Sequence, residues 1–334
     1  MGLGELSILN RSTLTATVNA FRYPELKLTA RFGGLTDRTK GGDTAEWDIR
    51  RKANKKGKPK SPGAPSKRVA LDPIGHRVTR CIHFAEHKML DGDRMENLRQ
   101  IGTDAEQMVQ DYIAQEQLGL ARRDANLREW ALSQMLTGTL TIAEDDEIAS
   151  VDYGVSATHK PTASVSWDTV TTDIPADVRT WKRLIRRDTG FDPALALVNE
   201  GIMTMLLKNT IVKEFMGTGE YKAQIGQFGY IVRFMGLEWI VIDDGYDTDA
   251  GVFTSFVADD KVVLTPAPSK DWMGVIEGST KVPTDDKANL VSAFGKYSYK
   301  TVQEDPAGVK VIVGDTFIPA LYVPDAIVYA DVTP

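Results

Sequence analysis

The sequence predicts a mixed α+β fold. Three observations carry this: a long stretch of helical hydrophobic period from Asp93 to about Thr137, alternating helical and strand-like segments over residues 195 to 265, and strands again in the last 40 residues. Residues 1 to 36 hold short apolar alternations (Leu3, Leu6, Ile8; Leu26, Leu28, Ala30). They are too short to be stable alone and read as an arm that packs on something else. Residues 37 to 80 are rich in Gly, Pro and Lys, with a strand-like island around Trp47 and Ile49. Such a segment buries little apolar surface, yet loops this long are uncommon in compact domains unless functional or disordered. It reads as a long projecting hairpin ordered by a partner.

Between Asp93 and Thr137, Met95, Leu98, Ile101, Ala105, Met108, Val109, Tyr112 and Ile113 fall three or four apart, and Ala125, Leu127, Trp130, Ala131 and Met135 continue the stripe. Asp91, Asp93 and Glu96 suit the positive end of a helix dipole. Gly102 and Gly119 each cost about 1 kcal/mol relative to Ala and are candidate bends. Unbroken, the segment would form a helix of roughly 65 Å at about 1.5 Å per residue. That length needs a large body or neighbouring subunits to cover it.

After Gly138 the expected elements are strands at Leu140 to Ile142 and Ser164 to Trp167, then a helix from Ala176 to Arg187 ended by Gly190 and Pro193. Next come an apolar run at Leu195 to Val198, helical segments around Met203 to Leu207 and Val212 to Met216, and strands at Glu238 to Ile242 and Val262 to Leu264. The final strands are expected at Val309 to Val313, Phe317 to Val323 and Ile327 to Val332, with Pro319 and Pro324 favouring edge positions. These should pair with the strands that follow the long helix, which makes residues 195 to 285 an insertion in one larger domain.

Charge is unevenly spread. The formal net charge is -6, but Arg50, Arg51, Lys52, Lys55, Lys56, Lys58, Lys60, Lys67 and Arg68 form a block without an acid, and the other 31 bases face 46 acids. The remainder is therefore at -15, which disfavours a general nucleic-acid binder. Residues 48 to 68 also hold no aromatic side chain for base stacking. The acidic remainder supplies complementary charge, so a second copy of the chain is the preferred partner for the block. The single cysteine, Cys81, rules out an intrachain disulfide and fits a reducing cytoplasm. Neither a secretory signal nor a run of about 20 apolar residues is found, so secretion and membrane insertion are disfavoured.

The sharpest catalytic candidate is His83-Phe84-Ala85-Glu86-His87, an H-x-x-E-H pattern. On a helix, its two histidines would share a face and could hold a zinc ion, with Glu86 polarising bound water and Cys81 as a third ligand. A zinc-dependent hydrolase is one alternative function on this basis. The pattern lies outside any segment that reads as a buried helix, and a surface or strand-edge pair is preferred. Asp243, Asp244, Asp247 and Asp249 fail the EF-hand order, since Gly251 stands at the fifth ligand position and Ala258 at the twelfth. They read as an acidic turn between two strands. There is no Walker loop, G-x-S-x-G elbow or G-x-G-x-x-G fingerprint, and the four histidines (His76, His83, His87, His159) offer little acid-base chemistry. No catalytic residue, metal ligand or cofactor is assigned. A DNA-binding accessory protein acting through the basic block is the other alternative.

The order of these segments, with Leu136-Thr137-Gly138-Thr139-Leu140-Thr141, Glu304-Asp305-Pro306, Phe317-Ile318-Pro319 and Pro324-Asp325-Ala326, resembles the major capsid proteins of tailed phages. More narrowly, it is similar to the lambda-type major capsid protein E family. The spacer Trp181 to Pro193 and the segment Leu197 to Asn209 resemble that family's connection into its axial domain. The resemblance implies an HK97-like fold: an N-arm (1–36), an extended E-loop hairpin (37–80), a peripheral domain with a spine helix of about 93–137 (81–184 and 286–334), and an axial domain (185–285). It further implies a structural, non-enzymatic protein that self-assembles into hexamers and pentamers of an icosahedral head enclosing double-stranded DNA, with the basic block making E-loop contacts between subunits. The partners so implied are other copies of the chain, a portal protein, a decoration protein in some relatives, and packaged DNA held non-specifically. Few residues precede the E-loop, so a separate scaffolding protein is expected. Assembly would take place in the host cytoplasm, and the final location is the virion.

Overall fold

A computed structural model describes residues 9–23, 26–51, 62, 74–91, 105–144, 147–248, 250–284, 289–303 and 308–334. The elements begin with α1 (Arg11–Ala20), α2 (Lys27–Phe32), β1 (Thr36–Arg38), β2 (Thr44–Arg50), β3 (Ile74–Arg80), β4 (Ile82–Asp91), α3 (Ala105–Thr137), β5 (Thr139–Glu144) and β6 (Glu147–Asp152). There follow α4 (Ile174–Thr189), β7 (Pro193–Val198), α5 (Glu200–Lys208), α6 (Thr210–Met216), α7 (Thr218–Phe228), β8 (Arg233–Phe234), β9 (Leu237–Val241), β10 (Gly245–Asp247) and β11 (Phe253–Ser255). The last are β12 (Lys261–Pro266), β13 (Met273–Glu277), β14 (Ser279–Pro283), β15 (Leu290–Phe294), β16 (Tyr297–Gln303), β17 (Gly308–Leu321) and β18 (Val328–Asp331). No helix among the described residues is long and apolar enough to cross a membrane.

Two compact units emerge. The first comprises Met1–Glu46, Val78–Ala131 and Val275–Pro319; the second comprises Trp47–Arg77, Leu132–Gly274 and Ala320–Pro334.

The first unit is a sheet in the order β1-β13-β17-β16, with β4 also paired to β17. β17 runs antiparallel to β4 from Gly308↔Asp91 to Phe317↔Ile82, and to β16 from Gly308↔Gln303 to Gly314↔Tyr297. Residues opposite each other across an antiparallel pair share a face. Val309, Val311 and Val313 therefore lie on the face of Phe84, Glu86, Lys88 and Leu90, and this is the face that α3 covers. One cluster joins Leu9, Leu14, Leu90, Ile113, Val309 and Val311; a second joins Val18, Phe84, Leu120, Ala121 and Val313. The arm is thus part of this core. Thr15 on α1 exchanges hydrogen bonds with the Ser298 backbone, and the Glu129 carboxylate accepts from the Leu28 and Thr29 amides at the start of α2. Those amides are among the donors a helix leaves unsatisfied at its first turn.

The second unit is built on a sheet of order β18-β12-β7-β9-β8. β7 pairs parallel with β9 and antiparallel with β12, which explains its nearly continuous apolar sequence, Pro-Ala-Leu-Ala-Leu-Val. α4 places Val178, Trp181 and Ile185 in this core, beside Ile202, Met203 and Leu206 from α5. Its ends follow from local chemistry. Asp173 accepts from the Ala176 amide, Pro175 occupies the first turn, and Gly190 closes the helix at φ +78°.

Three expectations are corrected. Ser164 to Trp167 is a turn, not a strand; Trp167 is buried because its ring stacks on Trp181 at 5.6 Å and its indole N–H donates to Asp177. The strands expected at Val309 to Val313 and Phe317 to Val323 are one strand, β17. Neither β17 nor β18 pairs with the strands after the long helix, since β5 and β6 form a hairpin of their own. β17 pairs with β4, which precedes that helix, and β18 with β12, because Val328, Ala330 and Val332 alternate into the core of the second unit. The described part of the long helix begins at Ala105; residues 92–104, with Gly102, lie outside the described residues. Gly119 does not break α3. A Cβ there would stand 3.0 Å from the Lys88 ammonium, which reaches Glu116 at 2.7 Å, so glycine leaves room for that ion pair.

Candidate intersubunit surface

The sequence placed its candidate contacts on the β2–β3 hairpin and the loop it carries. β2 alternates, with Ala45, Trp47 and Ile49 buried and Thr44, Glu46, Asp48 and Arg50 exposed. Trp47 stacks on Tyr153 at 6.1 Å within the second unit. β3 differs. Gly75, His76, Arg77 and Val78 are all exposed, Val78 at 55%, so consecutive residues on both faces of the strand meet solvent. His76 Nδ1 lies 3.0 Å from Asp48 across the hairpin.

Of the nine basic candidates, Arg50 and Arg51 are described. The Arg50 amide donates to the Tyr322 carbonyl at 2.7 Å, and its side chain is exposed. Arg51 donates through Nη2 to the Gly154 carbonyl at 2.7 Å and lies 3.8 Å from Asp325, which anchors the root of the loop within its own unit. Lys52, Lys55, Lys56, Lys58, Lys60, Lys67 and Arg68 lie outside the described residues.

The H-x-x-E-H residues are on strand β4 and not on a helix. Four residues of strand put His83 and His87 roughly 13 Å apart, too far to ligate one ion. Glu86 faces the other way, toward α3, where it pairs with Arg123 at 2.7 Å. His83 Nδ1 is 3.3 Å from the Thr316 hydroxyl and its Nε2 is 3.5 Å from Asp43. Cys81 is buried, and burial, with Asp43 and Asp315 nearby, pushes its thiol up to about 12, which disfavours the thiolate that zinc requires. The hydrolase alternative fails on this geometry. Asp243, Asp244 and Asp247 accompany the hairpin β10–β11, in keeping with an acidic turn between strands; Asp249 lies outside the described residues. His159 is fully buried between the Ile327 carbonyl and Asp188 and is structural.

What the sequence reading missed is a polar network under α3. Arg128 grips Asp315 through two hydrogen bonds, Nε to Oδ2 and Nη2 to Oδ1, and stands 4.6 Å over the Phe317 ring. Asp124, one turn earlier, is fully buried and pairs with Lys296 at 2.7 Å. Burial, with the Asp315 charge adding, pushes the Asp124 carboxyl up to about 7 despite Lys296 and Arg128. The available signal was the spacing: Gln117, Asp124 and Arg128 occupy positions of the stripe that Leu120, Ala121 and Leu132 define as buried.

These elements, a long helix across a sheet, an extended hairpin, and a second unit with its own five-stranded sheet, define the class of HK97-like capsid subunits. Solved structures agree. A prophage capsid protein from Escherichia coli CFT073 is similar over 97% of this chain and 99% of its own, with 16% identity and a TM-score of 0.61. A phage-related protein from Bordetella bronchiseptica RB50 covers 97% of each chain, with 17% identity and a TM-score of 0.57. The mature capsid of bacteriophage PhiM1 covers 89% of this chain and 83% of that one, with 13% identity and a TM-score of 0.51. No curated protein shows significant sequence similarity to the chain. The phage major capsid protein E family matches residues 10–332, and the chain belongs to that family. Its role is structural, as a self-associating subunit of the phage capsid, and its place is the virion.

Proposed function

We propose that the chain forms hexamers and pentamers of an icosahedral head around double-stranded DNA, and that residues 37–80 act as an E-loop strap across a neighbouring subunit. The observation that carries the strap is β3, exposed on both faces in the isolated chain and continuous in sequence with nine cations. A strand that its own chain leaves uncovered needs another surface. The -15 carried by the rest of the chain supplies that surface on a second copy. In domain terms, residues 1–36 are the N-arm, 81–184 with 286–334 the peripheral domain, and 185–285 the axial domain, into whose sheet β18 returns. A separate scaffolding protein and a portal protein, with a decoration protein as a further partner, complete the proposed assembly in the host cytoplasm; packaged DNA is held without sequence preference.

Neutralising Lys55, Lys56, Lys58 and Lys60 to Gln tests the strap. Electron microscopy should show loss of closed shells, while the unassembled subunit keeps its circular dichroism spectrum. Normal shells accompanied by lost, salt-dependent DNA binding would overturn the strap reading.

A further inference from the structure

Helix α4 is strongly two-faced. Val178, Trp181 and Ile185 enter the core of the second unit, and the opposite face repeats Arg179, Lys182, Arg183 and Arg186 at spacings of three and four. With Met235, these four side chains line an open pocket of about 300 Å³. Like charges so spaced on a helix repel one another. Compensation among the described residues is slight. Arg186 pairs with Asp192, whereas Lys182 donates to a neutral group, the Met235 carbonyl, at 2.6 Å. Arg179 and Arg183 are exposed and have no carboxylate within ion-pair distance among the described residues. Desolvation and the Arg186 charge hold the Lys182 ammonium below its ordinary range, against the pull of Asp192. The wall opposite the helix is fixed, because Met235 (φ +58°) and Gly236 (φ +68°) form the tight turn joining β8 and β9, and Lys182 pins it.

The reciprocal surface is in the same unit. The hairpin β10–β11 carries Asp243, Asp244 and Asp247, whose side chains have no ion pair among the described residues, and displays Val252 and Phe253 at 60% and 58% exposure. An exposed hairpin with Asp243 and Asp244 before β10, and Asp247 opposite the exposed Phe253 beside the turn, matches a concave pocket whose cations offer both charge and alkyl stems. The pocket holds no aromatic side chain for stacking a nucleic-acid base. Two complementary surfaces on one chain that do not meet within it are the requirement for a head-to-tail contact, and such contacts form rings when the rotation between copies closes.

We propose that the basic pocket on α4 receives the acidic hairpin β10–β11 of a second copy of the chain. This rests on the reading of the chain as a shell subunit, and it uses residues distinct from the strap. Arg183→Glu and Asp247→Lys, made singly and together, test it by sedimentation and electron microscopy of assembly reactions. Each single variant should lower the assembled fraction about tenfold, and the double variant should restore it to about the wild-type level. Both positions are exposed, and an unchanged melting midpoint of the unassembled subunit confirms that the fold is intact. Single variants that assemble like wild type overturn the proposal, as does a double variant that fails to recover. Normal assembly with lost DNA binding in Arg183→Glu would make the pocket a phosphate site and also overturn it. Wild-type chain that never assembles would overturn the shell reading, and this contact with it.

Discussion

Asp124 and Arg128 sit one turn apart on α3, both buried, and their fates differ because their partners do. Arg128 meets Asp315 through two hydrogen bonds, so the positive charge is matched where water cannot reach it. Asp124 has a single ammonium, Lys296, which is itself partly solvated, and Asp315 adds like charge nearby. Desolvation wins. Between pH 3.8, the ordinary carboxyl value, and about 7, the folded chain keeps a proton that the unfolded chain releases. The folded state binds more protons throughout that window, so this group lowers stability as pH rises through it. Asp124→Asn removes the titration. Urea denaturation from pH 4 to pH 8 should show the variant gaining on the wild type as pH rises; a trend in the opposite sense would put the Lys296 pair ahead of desolvation.

At the scale of elements, periodicity in the sequence located α3, α4, α5, α6, β7, β9 and β12, since each follows from residues adjacent along the chain. It divided β17 in two, because Gly314-Asp315-Thr316 interrupts an apolar run and resembles a turn. The structure gives each of these residues a distant reason. Asp315 answers Arg128, Thr316 hydrogen-bonds with Thr280, and Gly314 lies beneath the Tyr297 ring. Partners 17 or more residues away in sequence cannot be read from local pattern, which is also why the network under α3 escaped notice. A Cβ at position 314 would come within 2.3 Å of Tyr297 Cζ. Gly314→Ala should therefore displace that ring and destabilise the subunit by about 1–3 kcal/mol, as overpacked sites do. Combining it with Tyr297→Ala, measured in urea, should recover most of the alanine penalty by making room; no recovery would mean that backbone freedom, not the ring, requires glycine.

For the whole molecule, the split of a mild net charge into +9 and -15 is the feature visible in sequence that local folding does not consume. Within the described residues its traces are an anchored Arg51, an uncovered β3, and unpaired cations and acids on the second unit. Apolar surface is exposed as well, at Val78, Val252 and Phe253, so either charge or burial could dominate assembly. Salt separates them. Raising ionic strength from about 0.1 M to about 1 M shortens the Debye length from roughly 10 Å to roughly 3 Å, which weakens contacts between solvated charges and leaves apolar burial intact. Light scattering should show wild-type assembly slowing steeply over this range. The variant with Lys55, Lys56, Lys58 and Lys60 neutralised should respond less steeply, because part of the charge being screened is gone. Assembly that quickens with salt would instead assign the contacts to the apolar tips, and the cationic loop would then be a solvated feature of the subunit.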